Sequence, residues 1–325
     1  MKRREFLATM LFAAGCQSLR PHRPFIQTVL GPIPAGSFGL ALTHEHVMCD
    51  FIGAEKTGRH RWDVDEVART MRPYMDGLKK VGVTGFVDCT PAYIGRDPRV
   101  LKRLAMETGL HIVTNTGYYG GAKDKFVPKH AYSETEEQLA ARWIAEWKDG
   151  IEGTGVKPGF MKIGVDEAKE GQLSEIDAKL VRAAALANAK TNLATVCHTG
   201  GGPAGLAAAR LFAGPKEKFI VAHSDGHGLE INKQVADLGA WVSFDAISRK
   251  PVETHLKLVQ AMLERHADRL LLSHDNGWFA VGEAQKIRAF TYLAETFLPA
   301  LANAGVSAAI IRKLTVENPA AAFAI

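Results

Sequence analysis

Six residues of this sequence have the types and spacing to do chemistry together: His44 and His46 as a His-x-His pair, His198, His223, Asp275 and Lys162. Residues i and i+2 of a strand point the same way, so His44 and His46 can clamp one cation between them. Two imidazoles plus a carboxylate suit a borderline divalent ion such as zinc and leave a position for water. A single strand-end histidine is more often a hydrogen-bonded structural residue. Four histidines and one aspartate at four equivalent strand ends are another matter, because chance would scatter them over helices and loops as well, and the pattern reads as metal binding. Lys162 is the odd member. An ammonium would be repelled by dications, and most lysines are solvated surface groups, yet the run FMKIGV around it is apolar on both sides. A neutral lysine amine can add carbon dioxide and become a carbamate, an anionic ligand whose two oxygens can bridge two metals.

These residues recur at matching places in a repeating pattern. From residue 39 onward, short β-rich apolar runs alternate with longer amphipathic stretches. The runs span 39–47, 85–91, 111–119, 160–165, 194–199, 219–224, 241–247 and 270–275. Each is nearly continuously apolar, as parallel strands covered on both faces should be. Helical patterning covers 64–80, 99–108, 135–150, 175–189 and 251–266, and Gly82, Gly109 and Gly150 stand where helix C-termini favour glycine. In the 175–189 stretch, Ile176, Leu180, Ala183, Ala184 and Ala187 form the stripe of a surface helix. Eight strand–helix units in about 285 residues predict an α/β fold, a TIM (β/α)8 barrel forming one domain over 28–325. His44 and His46 close the first run, Lys162 lies in the fourth, and His198, His223 and Asp275 end the fifth, sixth and eighth. In a barrel those C-terminal ends converge on one face.

The rest of the composition is ordinary. The 325 residues are 46% hydrophobic and 23% charged, enough for a substantial core. The formal charge of +5 falls to about +3 without Lys2, Arg3, Arg4 and Glu5, and no basic run is interleaved with aromatics, so nucleic acid is not an expected partner. Residues 1–16, MKRREFLATMLFAAGC, read as an export signal, with a basic start, a short apolar run and small residues before a cysteine. The apolar run is too short for a permanent span, which takes roughly 20 residues. Arg3-Arg4-Glu5-Phe6-Leu7 resembles the twin-arginine pattern and Ala13-Ala14-Gly15-Cys16 an imperfect lipoprotein cleavage box. The expectation is an exported protein, periplasmic or lipid-anchored through Cys16, with 17–27 as a linker. Cys49, Cys89 and Cys197 are an odd set without a Cys-x-x-Cys pair and make no disulfide framework.

At this point the sequence resembles the phosphotriesterase-like family of the amidohydrolase superfamily. The resemblance runs from about Thr28 to the end and rests on TVLGPIP at 28–34, THEHV at 43–47, GFMKIGV at 159–165, VCHTG at 196–200, AHSD at 222–225, SHD at 273–275 and ENPAAAF at 317–323. It implies two divalent metal ions, zinc foremost. His44, His46 and Asp275 would hold the more buried one and His198 and His223 the more exposed one, bridged by N6-carboxylated Lys162 and a hydroxide. It further implies attack of that hydroxide on a phosphotriester, a lactone or a related ester, with Asp275 taking the proton. Tyr118 and Tyr119 at the end of the third run, Arg249 in the loop after the seventh and Trp278 after Asp275 are candidates to touch substrate. His227 and His274 flank candidate ligands, and Asp225 could orient a neighbouring imidazole. The stretch after Asp275 is compact where lactonases of the family carry a longer insertion, which argues against acyl-homoserine lactones as substrates and leaves smaller lactones open. Two other readings stay open here: a mononuclear, deaminase-like or nuclease-like relative, and a catalytically silent surface-anchored binding protein. A homodimer is compatible with the sequence and not required by it.

Overall fold

The computed structural model describes residues 24–325, so the expected export signal at 1–16, Cys16 and most of the expected linker lie outside the described residues. The linker assignment overreached at its end. Phe25–Thr28 pairs antiparallel with Gly31–Pro34, Phe25 and Ile325 exchange backbone hydrogen bonds, and Ile26 is fully buried. Residues 25–27 are therefore part of the folded unit, held by apolar burial of Ile26 against Phe38, Phe160 and Phe323.

Eight parallel strands follow in chain order: β1 (Leu40–Cys49), β2 (Val83–Asp88), β3 (His111–Val113, resumed at Asn115–Thr116), β4 (Phe160–Val165), β5 (Ala194–Thr199), β6 (Phe219–Val221), β7 (Trp241–Phe244) and β8 (Leu270–Leu272). Each pairs with the next, in one sheet from β1 into β3 and another from β3 to β8. The ring is joined at the other seam by Asp275 N donating to His44 O at 3.0 Å and His46 N to Asn276 O at 3.1 Å. A ninth short strand, β9 (Gly277–Ala280), continues that seam in parallel with β1. An α/β architecture of parallel strands in this order is the expected barrel order.

Helices form at all five stretches whose apolar stripes predicted them. α1 (Val64–Lys80) starts at Asp63, whose carboxylate accepts from Glu66 N, and buries Val67, Met71, Met75 and Leu78 on one face. α2 (Pro98–Thr108) is capped by Asp97 and ends at left-handed Gly109, and α3 (Glu136–Asp149) opens with a reciprocal Thr135–Gln138 capping box. α4 (Glu175–Thr191), α5 (Gly202–Leu211), α6 (Leu229–Asp237) and α7 (Val252–Leu263) continue the outer layer, and short helical segments between Leu293 and Phe323 extend it beside β8 and β1; α5 and α6 had drawn no sequence expectation. Among the described residues most apolar side chains fall into two bodies, with a third, small cluster of Cys49, Ile94 and Phe126 beside Tyr119 and Trp278. One lies inside the ring and includes Ala41, Val87, Val113, Val196 and Leu271; the larger one packs strands against helices. The three described cysteines are buried free thiols, as expected.

Strand length is where the expectation was too generous. β6 stops at Val221 and β8 at Leu272, so His223 and Asp275 lie just beyond the strands rather than on them. Both adopt left-handed backbone, with φ of 60° and 54°. That turn swings each side chain across the end of the ring instead of continuing the pleat.

Candidate metal centre

Three of the candidate donors, His44, His46 and His223, are aimed by a second group that holds the far side of the ring. His44 on β1 is buried; its Nδ1 meets Asp245 Oδ2 at 2.7 Å, which leaves Nε2 facing the cavity, 3.1 Å from Lys162 Nζ. His46, two residues on, places Nδ1 2.9 Å from Thr90 Oγ1 and Nε2 3.0 Å from Asp275 Oδ1. His223 places Nδ1 2.8 Å from Asp245 Oδ1, and its ring lies 4.4 Å from that of His198. The strand period, the two left-handed turns and these hydrogen bonds bring His44, His46, Lys162, His198, His223 and Asp275 around one cavity.

Electrostatics prepares these groups as donors. Burial, reinforced by Lys162, lowers the His44 pKa to about 4, and burial next to His223 and Lys162 pulls His198 well below its usual range. Both imidazoles are thus neutral at pH 7, with a lone pair available. Burial opposes the charge on Asp275, but the His46 hydrogen bond and the field of His46, His44 and His223 win and hold its carboxyl well below the usual range. Lys162 is buried, and among the described residues no carboxylate lies within ion-pairing distance of it.

Among the described residues two donor groups are compact enough to hold a metal ion: His44 with His46 and Asp275, and His44 with His223 and Asp245. The second is better understood as support. Asp245 spends both oxygens on the Nδ1 atoms of His44 and His223, accepts from His223 N and Ser243 Oγ, and is held ionised by the two imidazoles although burial opposes it. A carboxylate on the rear nitrogen fixes the tautomer that presents Nε2 forward. Asp245 was not among the sequence candidates. Glu45 was also missed: it lies between the paired histidines, so the pleat turns it to the other face, where it accepts from Ser273, His274 and Asn276 and locks β8 to β1.

The cavity has a volume of about 370 Å³, with Phe51, Tyr119, Phe126 and Trp278 as its aromatic wall and Lys125 and Arg249 among its charged lining. Of the four residues read as candidates to touch substrate, Tyr119, Arg249 and Trp278 line this cavity. Tyr118 does not. Adjacent residues of an extended chain face opposite ways, and Tyr118 turns outward, hydrogen-bonding His130 at 3.0 Å in a separate cavity with Tyr93 and Trp143. His227 bonds Thr199, and His274 joins Glu45 to the backbone of Leu293, so neither reaches the cavity. Asp225 accepts from Asp245 N and from His255, steadying the carboxylate rather than an imidazole ligand directly. Arg249 lies over the site and its guanidinium reaches Asp275 Oδ2 at 2.6 Å. Lys125 and Phe126 are presented by three consecutive left-handed residues, Ala122, Lys123 and Asp124.

Parallel strands in barrel order, with imidazoles, a carboxylate and a buried lysine gathered where those strands end, define a hydrolase class whose donor groups could hold metal. Residues 24–323 match the model of the Phosphotriesterase family, and the chain belongs to that family. It is 30% identical to the phosphotriesterase homology protein of Escherichia coli over 294 residues, covering 88% of this chain and 98% of that one. It is 27% identical to the aryldialkylphosphatase of Saccharolobus solfataricus over 308 residues, covering 88% and 95%. Among solved structures, a mutant of a phosphotriesterase-like lactonase from Deinococcus radiodurans matches with 27% identity and a TM-score of 0.82, covering 92% of this chain and 99% of that one.

Proposed function

We propose that this chain is a binuclear-metal hydrolase cleaving a phosphotriester, a lactone or a related ester. The observation that carries the reading is Lys162: a buried lysine without a counter-charge, its nitrogen 3.1 Å from His44 Nε2 and among the same cavity-lining groups as His46, His198, His223 and Asp275. A buried ammonium among imidazoles is costly, whereas a carbamate there would supply the anionic oxygens that two dications require. The donor set fits that use. His44, His46 and Asp275 would hold one cation, His198 and His223 the other, with carboxylated Lys162 between them. Imidazole, carboxylate and carbamate donors suit zinc.

When bound, the cations lower the pKa of water toward neutrality and polarise the scissile oxygen. The chain does the rest. Asp245 and Thr90 fix the imidazole tautomers, ionised Asp275 is the proton acceptor, and the wall of Phe51, Tyr119, Phe126 and Trp278 excludes water from the reacting bond. The ester classes come from the names of similar proteins, an aryldialkylphosphatase and a phosphotriesterase-like lactonase.

The test is metal quantification followed by lactones and aryl phosphotriesters assayed on the same sample. Two equivalents per chain and hydrolysis of either class are expected. One equivalent would favour the mononuclear alternative, and two equivalents with no hydrolysis across a broad ester panel would overturn the reading. The basic, apolar leader at 1–16 adds export to the proposal, checked by cell fractionation of the full chain with and without those residues.

A further inference from the structure

The mouth of the cavity carries more positive charge than a neutral ester needs. Lys125 and Arg249 both line it, and Arg288 stacks behind its wall with the guanidinium carbon 5.0 Å from the Trp278 ring centre. Among the described residues Asp275 is the only carboxylate in the lining, and it already accepts from Arg249 and meets His46. Lys125 Nζ lies 5.5 Å from the centre of the Phe126 ring, and among the described residues neither Lys125 nor Arg288 has a carboxylate within ion-pairing distance. The nearest carboxylate along the chain is that of Asp124, and it forms no ion pair with Lys125 among the described residues. Three left-handed residues, Ala122 to Asp124, hold this separation in place, and Ala54 N fixes the Lys125 carbonyl at 3.1 Å.

From this arrangement we infer that the substrate carries an acid group, a carboxylate or a sulfonate, at the end remote from the bond that is cut, and that Lys125 receives it at the cavity mouth with Arg249 close by. The inference rests on the hydrolase reading and narrows its substrate class. The aromatic wall and the cavity of about 370 Å³ limit the rest of the molecule to a compact, flat or small apolar body. An unpaired surface ammonium attracts anions in general. What makes this one selective is its place, on the lining of the same cavity as the metal donors and beside an aromatic face that excludes water from one side.

The experiment uses the metal-loaded full chain and a matched pair of aryl acetates, 4-acetoxybenzoate and its neutral isostere 4-acetoxybenzamide. The acid should be favoured in kcat/KM by about tenfold or more, mostly through KM, with the preference shrinking as ionic strength rises. In Lys125→Met the acid-to-amide ratio should fall about fivefold to tenfold, and Lys125→Arg should restore most of it. A carboxylate that bound a metal directly would also favour the acid, but its ratio would not respond to Lys125, and that result overturns the inference. Hydrolysis of the amide with no preference for the acid likewise overturns it while leaving the hydrolase reading intact. Hydrolysis of neither ester, with two metals bound, counts against both.

Discussion

Replacing Asp245 by asparagine tests the support beneath both halves of the centre at once. In the folded chain its oxygens take the Nδ1–H of His44 at 2.7 Å and of His223 at 2.8 Å. Each is a charge-assisted hydrogen bond contributing about 1.5–3 kcal/mol. Asparagine is nearly isosteric but has one carbonyl oxygen, so it can satisfy one imidazole while its amide N–H confronts the other. That imidazole must move its proton to Nε2 or turn away, and in either case its forward lone pair is lost. The net loss is about one charged hydrogen bond, about 1.5–3 kcal/mol, which at about 1.4 kcal/mol per factor of ten is a tenfold to hundredfold weakening of metal binding. The assay is competition for zinc between the metal-free protein and a chromophoric chelator at pH 7.5, with circular dichroism and thermal melting to verify the fold. A folded Asp245→Asn protein binding zinc within about twofold of the parent would refute the reasoning, because the carboxylate would then orient nothing that matters.

Asp275→Asn, prepared with its metals quantified, should lose turnover by about two orders of magnitude or more, and a metal-replete variant with unchanged turnover would remove Asp275 from proton transfer. Tyr118→Phe should leave kcat/KM within about twofold and Tyr119→Ala should lower it at least about tenfold, since only Tyr119 faces the cavity; equal effects in steady-state assays would contradict the pleat assignment. Asp177, buried with one oxygen unpartnered, has its pKa raised by burial to about 6 from 3.8. A raised carboxyl favours the folded state only while protonated, so stability present below pH 3.8 is lost as pH rises through 6, about 3 kcal/mol in all. Asp177→Asn should therefore melt higher than the parent at pH 8 and no higher at pH 4, and the opposite order in thermal melts would sink that account.

Much of this was legible in residue types alone because a barrel repeats one unit and puts chemistry at one end of it. The histidine pair, the buried lysine in FMKIGV and the isolated strand-end donors were visible as exceptions to apolar runs. The left-handed turns at His223 and Asp275 were not, since neither residue is glycine and the apolar pattern simply runs on into them. Asp245 left a usable trace: it stands inside the seventh apolar run as His223 stands inside the sixth, each just past the end of its strand, and a polar residue at that place in one unit invites the same question in the next. Glu45 could have been read from alternation, because between two inward residues the middle one must point out and, being buried there, needs partners. Tyr118 was misassigned by treating two neighbours as equivalent when the pleat separates them.

The seam at β9 has a consequence for engineering new substrates. A side chain at Gly277 would bring its first carbon to 2.1 Å from the His46 carbonyl, and the glycine holds φ at 95°. From there the segment runs beside β1, Gly277 opposite His46 and Ala280 opposite Cys49, and Val281 N donates to the Cys49 carbonyl. Extra residues inserted ahead of Val281 would unzip that pairing and drag His46 with it. A longer lid grafted later, among the exposed residues from Gly282 to Lys286, would leave the histidine backbone untouched. Loop libraries confined to that window can change what enters the cavity without loosening what waits at its floor.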